Sequence, residues 1–191
     1  MLFRSDSIVV EAFAEPGLMY GVHTLGQLVA ACTGPPGEPV TLPCVEIQDW
    51  PDVPHRGVML DVSRDRVPTM ETLAGLVELL ASWKVNQLQL YMEHTFAYDG
   101  HRAVWRDASP LTGEQILELD RLCRSWHLEL VPNQNSLGHM HRWLIHEPYR
   151  ALAECPQGIE HPFSPEREPY GLCPIDPGSI ELLAGLYDQL L

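Results

Sequence analysis

An alternation that begins at Gly57 constrains this chain more than any other feature. Gly57–Ser63 (GVMLDVS) is a continuous apolar run with one acid, the composition of a strand buried on both faces in a parallel sheet. Pro68-Thr69 then opens a helical stretch through Trp83, with Leu73, Leu76, Val77 and Leu80 spaced along one face. Gln87–Glu93 (QLQLYME) reads as the next strand. Thr112 and Gln115 have capping-box spacing and open a second helix, covered by Ile116, Leu117, Leu119 and Leu122. Leu128–Pro132 (LELVP) is a third strand. Strand, helix, strand, helix, strand in units of roughly 30 to 40 residues is the pattern of a parallel α/β sheet or barrel.

The flanks read differently. Ser7–Ala14, rich in Val and aromatic residues, is expected to form a strand. Tyr20–Cys32 places Val22, Leu25, Leu28 and Val29 at helical spacing, and Gly34-Pro35-Pro36-Gly37 ends that helix. Thr41–Trp50 is a mostly extended connector. Beyond strand three, His139–Leu152 reads as helical or mixed and Pro156–Pro174 as a proline-rich loop. Asp176 as N-cap with Pro177 at the first position starts a last helix, with Ile180, Leu183, Ala184 and Tyr187 as its apolar face. A closed eight-stranded barrel takes about 250 residues; only about 140 follow the connector, so the expected fold is the first part of a (β/α)8 TIM barrel, about three to four βα units.

Charge narrows the partners. Acidic residues number 26 against 12 basic, a formal charge of −14. Such a surface repels phosphate backbones and suits neutral or cationic small molecules, so no nucleic-acid partner is expected. The five cysteines form no C-x-x-C pair and are odd in number, which argues against a structural zinc site or a disulfide scaffold and for incidental thiols in a reducing compartment. The N-terminal residues Met1–Ser7 contain no apolar leader core, and no apolar run of about 18 residues exists. A membrane partner is not expected, and a cytoplasmic location follows if this N-terminus is complete.

Ligands of a barrel sit at the C-terminal ends of its strands. Around strand one lie Arg56 and Asp61. An Asp in so apolar a run must be bonded or paired; it is either a buried structural carboxylate or a polar floor beneath a sugar. Strand two ends in Glu93-His94, followed by Phe96 and Tyr98, aromatics that either stack on a sugar or staple the loop. Strand three ends in Asn133-Gln134-Asn135-Ser136-Leu137-Gly138-His139, where amides suit hydroxyls and His139 suits a carboxylate partner. One alternative takes His139-x-His141, with His146 and His94, as the ligands of a metal-dependent hydrolase. Another is a non-catalytic carbohydrate-binding or scaffold protein.

Three segments, in order, resemble glycoside hydrolase family 20, the β-N-acetylhexosaminidases: Tyr20-Gly21-Val22-His23-Thr24-Leu25-Gly26-Gln27-Leu28, Arg56-Gly57-Val58-Met59-Leu60-Asp61-Val62-Ser63-Arg64, and Gly138-His139. Glu93 with Phe96, Tyr98, Asp99 and Gly100 is most similar to the hexosaminidase D-like branch. The resemblance implies that residues 1–38 are the end of a small N-terminal α/β domain and that 39–191 are a partial TIM-barrel domain stopping before strand four. It implies substrate-assisted retaining hydrolysis, in which the 2-acetamido carbonyl of the substrate attacks the anomeric carbon, supported by an Asp-Glu pair at the end of strand four. That pair is expected beyond Leu191, so these 191 residues alone are expected to be inactive. The implied substrate is an N-acetylhexosamine-containing glycan or glycoside, with no cofactor and no metal. The resemblance implies Arg56, Glu93 and His139 as substrate-binding residues, with His139 also contacting the acid machinery; Asp61 and Asn135 join them as polar groups at the strand ends suited to sugar hydroxyls. Where many members carry Asp-Asp after strand two and Asp-x-Pro-Gly-His after strand three, this chain has Glu93-His94 and Asn135-Ser136-Leu137-Gly138-His139.

Overall fold

The computed structural model describes residues 7–64, 66–162 and 164–191; the leader reading at Met1–Asp6 lies outside them. Three parallel strands, β1 (Gly57–Asp61), β2 (Gln87–Tyr91) and β3 (Glu129–Val131), form a sheet in the order β1-β2-β3. Gly57 pairs with Gln87 and Asp61 with Tyr91 across the first pair, and Gln87 pairs with Glu129 across the second. Helix α1 (Glu15–Cys32) precedes the sheet, while α2 (Met70–Ser82), α3 (Arg102–Trp105) and α4 (Gly113–Ser125) connect its strands. Two short turns of helix, α5 (His141–Leu144) and α6 (Glu147–Arg150), follow β3 and lead to a hairpin of β4 (Ile159–His161) and β5 (Ser164–Glu168). Helix α7 (Pro177–Leu190) comes last. Parallel strands joined through helices make this an α/β fold with the layering of a partial TIM barrel.

Side-chain alternation on β2 sets the core. Leu88 and Leu90 are almost fully buried against the helical layer, together with Leu73, Val77 and Leu80 of α2 and Leu119 and Cys123 of α4. Each such leucine contributes about 1.5–3 kcal/mol by leaving water. Burial pushes the Cys123 thiol up to about 11, with Asp120 adding to it. A second cluster forms around Trp143, 0% exposed, with Tyr98, His101 and Tyr149 packed on it at ring separations of 5.7, 5.3 and 5.4 Å.

The expected helix starts are present. Thr112 and Gln115 form both bonds of the capping box, the Thr69 side chain accepts from Thr72 N, and the Asp176 side chain accepts from Gly178 N. Other expectations need correction. Ser7–Ala14 is not a strand: among the described residues it joins no sheet, and its residues are mostly exposed. β1 is not buried on both faces. Among the described residues β2 pairs with only one of its edges, and Gly57, Val58, Met59 and Asp61 are exposed. Leu117 lies on the solvent side of α4, and Ile180 and Ala184 on that of α7, where Leu183 is buried as expected and Ser179 and Leu186 are buried with it. The proline-rich segment holds the β4–β5 hairpin. None of the five cysteines is in a disulfide. Among the described residues no helix is long and apolar enough to cross a membrane.

The end of the sheet where the strands start is tied down by cations. The Arg56 guanidinium donates to the carbonyls of Lys84 (2.7 Å), Val53 (2.9 Å) and Pro54 (3.0 Å) and lies over the Tyr20 ring of α1. Lys84 Nζ donates to Thr24 Oγ1 of α1 at 2.7 Å and pairs with Asp49 of the connector.

Two substitutions on α4 separate cap from surface. Thr112→Ala should lower unfolding free energy by about 1 kcal/mol, the worth of an N-cap side chain, whereas Leu117→Ala should change it by less than about 0.5 kcal/mol. Urea denaturation followed by circular dichroism measures both; equal losses would contradict the assignment of faces.

Candidate active site

Glu93 is the pivot of the strand mouths. It continues the alternation of β2 beyond Tyr91, through the parallel bridge Met92–Gln134. That alternation puts Gln87, Gln89, Tyr91 and Glu93 on the inner face, and Leu88, Leu90, Met92 and His94 toward the helices. The Glu93 carboxylate is 2% exposed. Its Oε1 accepts from Arg64 Nη1 at 2.6 Å and from the Tyr91 hydroxyl at 3.0 Å, and His139 Nδ1 lies 3.5 Å away. The backbone is held as firmly. Glu93 N donates to Ser63 Oγ at 2.8 Å, while its carbonyl accepts from Gln134 Nε2 at 3.1 Å and Trp143 Nε1 at 2.5 Å. A buried carboxylate without partners would cost several kcal/mol; here each contact is charge-assisted or fixed by the fold.

Arg64 leaves the end of β1 and lies over the Tyr91 ring at 5.5 Å. Partial burial works against its charge, but hydrogen bonding to Tyr91 and Glu93 and the charges of Glu93 and Asp61 outweigh it and raise its pKa. About half of its side chain remains exposed, so the guanidinium is both fixed and reachable. His139 adopts φ +55°, a left-handed conformation costly for a residue with a Cβ, and its side chain is mostly exposed. Arg64, Glu93 and His139, together with Ser63, line a cavity of about 580 Å3, within the range of small-molecule sites. The side chains of His141, Arg142, His161 and Tyr170 complete its lining. An anchored acid beside an arginine, a phenol and an imidazole, open on one side, is an arrangement for binding a polyhydroxylated ligand by charge-assisted hydrogen bonds.

Several sequence expectations are relocated. Arg56 does not reach this cavity. It precedes β1 and Arg64 follows it; five strand residues at about 3.3 Å each put roughly 16 Å between them, and the Arg56 guanidinium is occupied by three carbonyls. Asp61 is not a buried floor. Its side chain is 41% exposed, accepts from Ser63 N at 2.8 Å and lies 3.8 Å from Arg64, so it shapes the turn that aims Arg64. Asn135 sits behind the cavity rather than in its lining. Its backbone N donates to Met92 O, and its side-chain nitrogen is buried with no hydrogen-bond partner among the described residues. Phe96 and Tyr98 are buried and packed on each other at 4.7 Å, with the Tyr98 hydroxyl on Gln134 Oε1, so they staple the loop. Gln134 is itself consumed by bonds to Glu93 O and Asn135 O. His94 is buried on the helical side, and among the described residues no group of three or more His, Cys, Asp or Glu could hold a metal. Glu93 and His139 do meet in the cavity. Sequence reasoning missed Arg64, Tyr91, Tyr170 and His161. For Arg64 and Tyr91 a signal existed, since both fall at strand mouths on the inner face; for the other two, more than twenty residues downstream of His139, none did.

No protein-family model matches the chain. It is 37% identical over 141 residues to a β-hexosaminidase of Akkermansia muciniphila, covering 64% of this chain and 28% of that protein. It is 30% identical over 92 residues to the N,N'-diacetylchitobiase of Vibrio harveyi, covering 48% of this chain and 10% of that one. The chain thus spans well under a third of the length of these relatives. Its fold matches the GH20 β-N-acetylhexosaminidase of Streptomyces coelicolor A3(2) with a TM-score of 0.71 at 25% identity, over 91% of this chain and 38% of that one. It also matches a Streptomyces plicatus β-hexosaminidase in complex with GlcNAc, with a TM-score of 0.72 at 23% identity, over 91% and 38%. Its homologues and structural neighbours are therefore GH20 β-hexosaminidases.

Acid should loosen this end of the fold. Burial lowers the pKa of His141, with Arg142 and Arg64 acting the same way and Glu93 and Glu168 against it; burial alone lowers that of His101. The unfolded chain then binds more protons than the folded one near the ordinary histidine value of about 6.5, so stability is full above that pH and falls as pH drops through it. The thermal midpoint should fall between pH 7.5 and 5, and less steeply in His141→Asn and His101→Asn than in the parent. Identical slopes for parent and variants would remove these histidines from the account.

Proposed function

We propose that this chain is the opening part of a β-N-acetylhexosaminidase, a glycoside hydrolase that removes terminal N-acetylhexosamine from a glycan or glycoside by substrate-assisted retaining hydrolysis. The buried Glu93, clamped by Arg64 and Tyr91 at the mouths of parallel strands, carries this reading. The similarity to β-hexosaminidases over most of the chain supports it, as do GlcNAc complexes among proteins of the same fold. Arg64 and Glu93 hold ring hydroxyls as a donor–acceptor pair, and Tyr91 orients the carboxylate. His139 stands where it reaches the reacting end of the sugar. In the reaction the acetamido carbonyl oxygen bonds to the anomeric carbon as the bond to the leaving oxygen breaks. A general acid protonates that oxygen, and water then opens the cyclic intermediate with retention.

The 191 residues contain no Asp-Glu dipeptide. The general acid and the carboxylate that steadies the acetamido group therefore come, in this reading, from residues outside them, and the chain taken alone binds without cleaving. Asn135, with its unsatisfied buried amide nitrogen, is ready to donate to such an added acceptor. We place the chain in the hexosaminidase D-like branch on Glu93 with Phe96, Tyr98, Asp99 and Gly100. The same absence of an Asp-Glu dipeptide favours a second reading, a carbohydrate-binding protein without hydrolase activity.

Hydrolysis of a chromogenic N-acetyl-β-glucosaminide and its galacto isomer by the full-length protein separates the two. Turnover is expected. Arg64→Met and Glu93→Gln should each lower kcat/KM by about 10- to 100-fold, the worth of one charge-assisted hydrogen bond. Arg56→Met should lower the thermal midpoint while leaving KM near the parent value. Binding without turnover would establish the second reading, and loss of activity in Arg56→Met alone would overturn the placement of the arginines.

A further inference from the structure

The β1–β2 ladder stops where the cavity begins. Its last bond runs from Val62 N to Tyr91 O at 3.2 Å. Continued in the same register, the next would run from Glu93 N to Val62 O. Glu93 N donates instead to the side chain of Ser63, at 2.8 Å. On its other side β2 stays paired with the segment that continues β3: Met92 N donates to Asn133 O at 3.0 Å, and Asn135 N to Met92 O at 2.9 Å. The sheet therefore parts on one side of β2 only, and a serine hydroxyl spans the opening. Ser63 lines the cavity, and the next residue, Arg64, reaches the Glu93 carboxylate across the same gap. We propose that Ser63, backed by Thr95, is a positioning residue for the reaction: its hydroxyl takes over the ladder at the strand mouth and sets the spacing at which Arg64 and Glu93 grip one sugar together. This role rests on the reading of that pair as the N-acetylhexosamine pocket.

The connections of Ser63 suit it to this work. Ser63 N donates to Asp61 Oδ1 at 2.8 Å, which fixes the turn out of β1. Its Oγ lies 3.1 Å from Thr95 Oγ1, and Ser63, Glu93 and Thr95 are all almost fully buried. Thr95 is held from its far side, where Leu111 N donates to its carbonyl and Ala97 N to Leu111 O, both at 2.9 Å. The hydroxyl pair thus joins the end of β1, the end of β2 and the segment before α4 at one point. A hydroxyl offers one hydrogen and two lone pairs. Ser63 Oγ spends one lone pair on Glu93 N, and the contact with Thr95 fixes its rotation. An alanine at position 63 leaves the buried Glu93 N–H without that acceptor. The regular ladder bond to Val62 O is the remedy the backbone offers, and making it closes the gap that the Arg64 guanidinium and the carboxylate occupy. The bond between those two is 2.6 Å long, and a contact so short tolerates little displacement.

Steady-state hydrolysis of a chromogenic N-acetyl-β-glucosaminide by the full-length protein, with thermal unfolding of the same variants, tests this. Ser63→Ala should lower kcat/KM about tenfold, the scale of one neutral hydrogen bond, and chiefly through KM. Thr95→Val should lower it less, and Thr95→Ser, which keeps the hydroxyl, should behave as the parent. In an Arg64→Met background Ser63→Ala should cost less than about twofold, because the pair it serves is already broken. A lower thermal midpoint with parent kinetics would make Ser63 a structural residue only and overturn its role in the reaction. An undiminished loss in the Arg64→Met background would overturn it as well. If Ser63→Ala does not fold, Thr95→Val carries the same comparison with and without Arg64→Met. In a parent that binds without cleaving, the comparison is read in the Kd for N-acetylglucosamine. A parent that neither binds nor cleaves overturns the N-acetylhexosamine reading itself, and the role of Ser63 with it.

Discussion

A carboxylate taken out of water at the mouth of β2 is the constraint on which the rest of this structure turns. Arg64 and Tyr91 meet the same oxygen of Glu93 and replace the water that its carboxylate has lost. Those partners come from different places in the chain: Arg64 from the end of β1, Tyr91 from β2 itself. The parallel register that pairs Asp61 with Tyr91 brings them together. The indole of Trp143, the centre of the second core cluster, donates to the carbonyl of Glu93. The packing of the α5 region and the position of the acid are thereby one problem, and a change in either is felt in the other.

The two ends of the sheet carry different work. Where the strands begin, Arg56 and Lys84 spend their donors on backbone carbonyls, Thr24 and Asp49, joining α1 and the connector to the βα units. Where the strands end, Arg64 is held by side chains and left half in water. Two arginines eight positions apart thus serve attachment and recognition. This is the usual division in such folds, where one end stabilises and the other binds.

The segment after β3 contributes structure as well as a wall. Its backbone is laced to the turn around Leu137–Met140, and α7 returns to close over it: the Tyr187 hydroxyl donates to Gln134 O, and Gln189 bonds to Asp99. The Ser179 hydroxyl of α7 also donates to Leu152 O, so the segment after β3, the strand ends and the last helix are tied together.

The sequence by itself determined the layering. Leu73, Val77, Leu80, Leu88, Leu90 and Leu119 are legible because helix and strand periodicities are local properties of the backbone. The caps at Thr69, Thr112 and Asp176 are legible because an N-cap is settled within four residues. Glu93 and His139 could be chosen for the site because strand ends in a parallel α/β pattern are where ligands meet the fold. What only the tertiary structure decided was which neighbours those residues have. Arg56 and Arg64 both flank one strand, and only the direction of the strand and the carbonyls offered at its start place one at each end. Phe96 and Tyr98 read as readily as a sugar platform as a loop staple until Gln134 and Trp143 are found beside them. Asp61 looked buried because β1 is apolar, yet its side chain turns to Ser63 N and Arg64 and is 41% exposed among the described residues. The rings of His141, His161 and Tyr170 meet across 29 positions of chain, and contacts of that kind leave no period in a sequence.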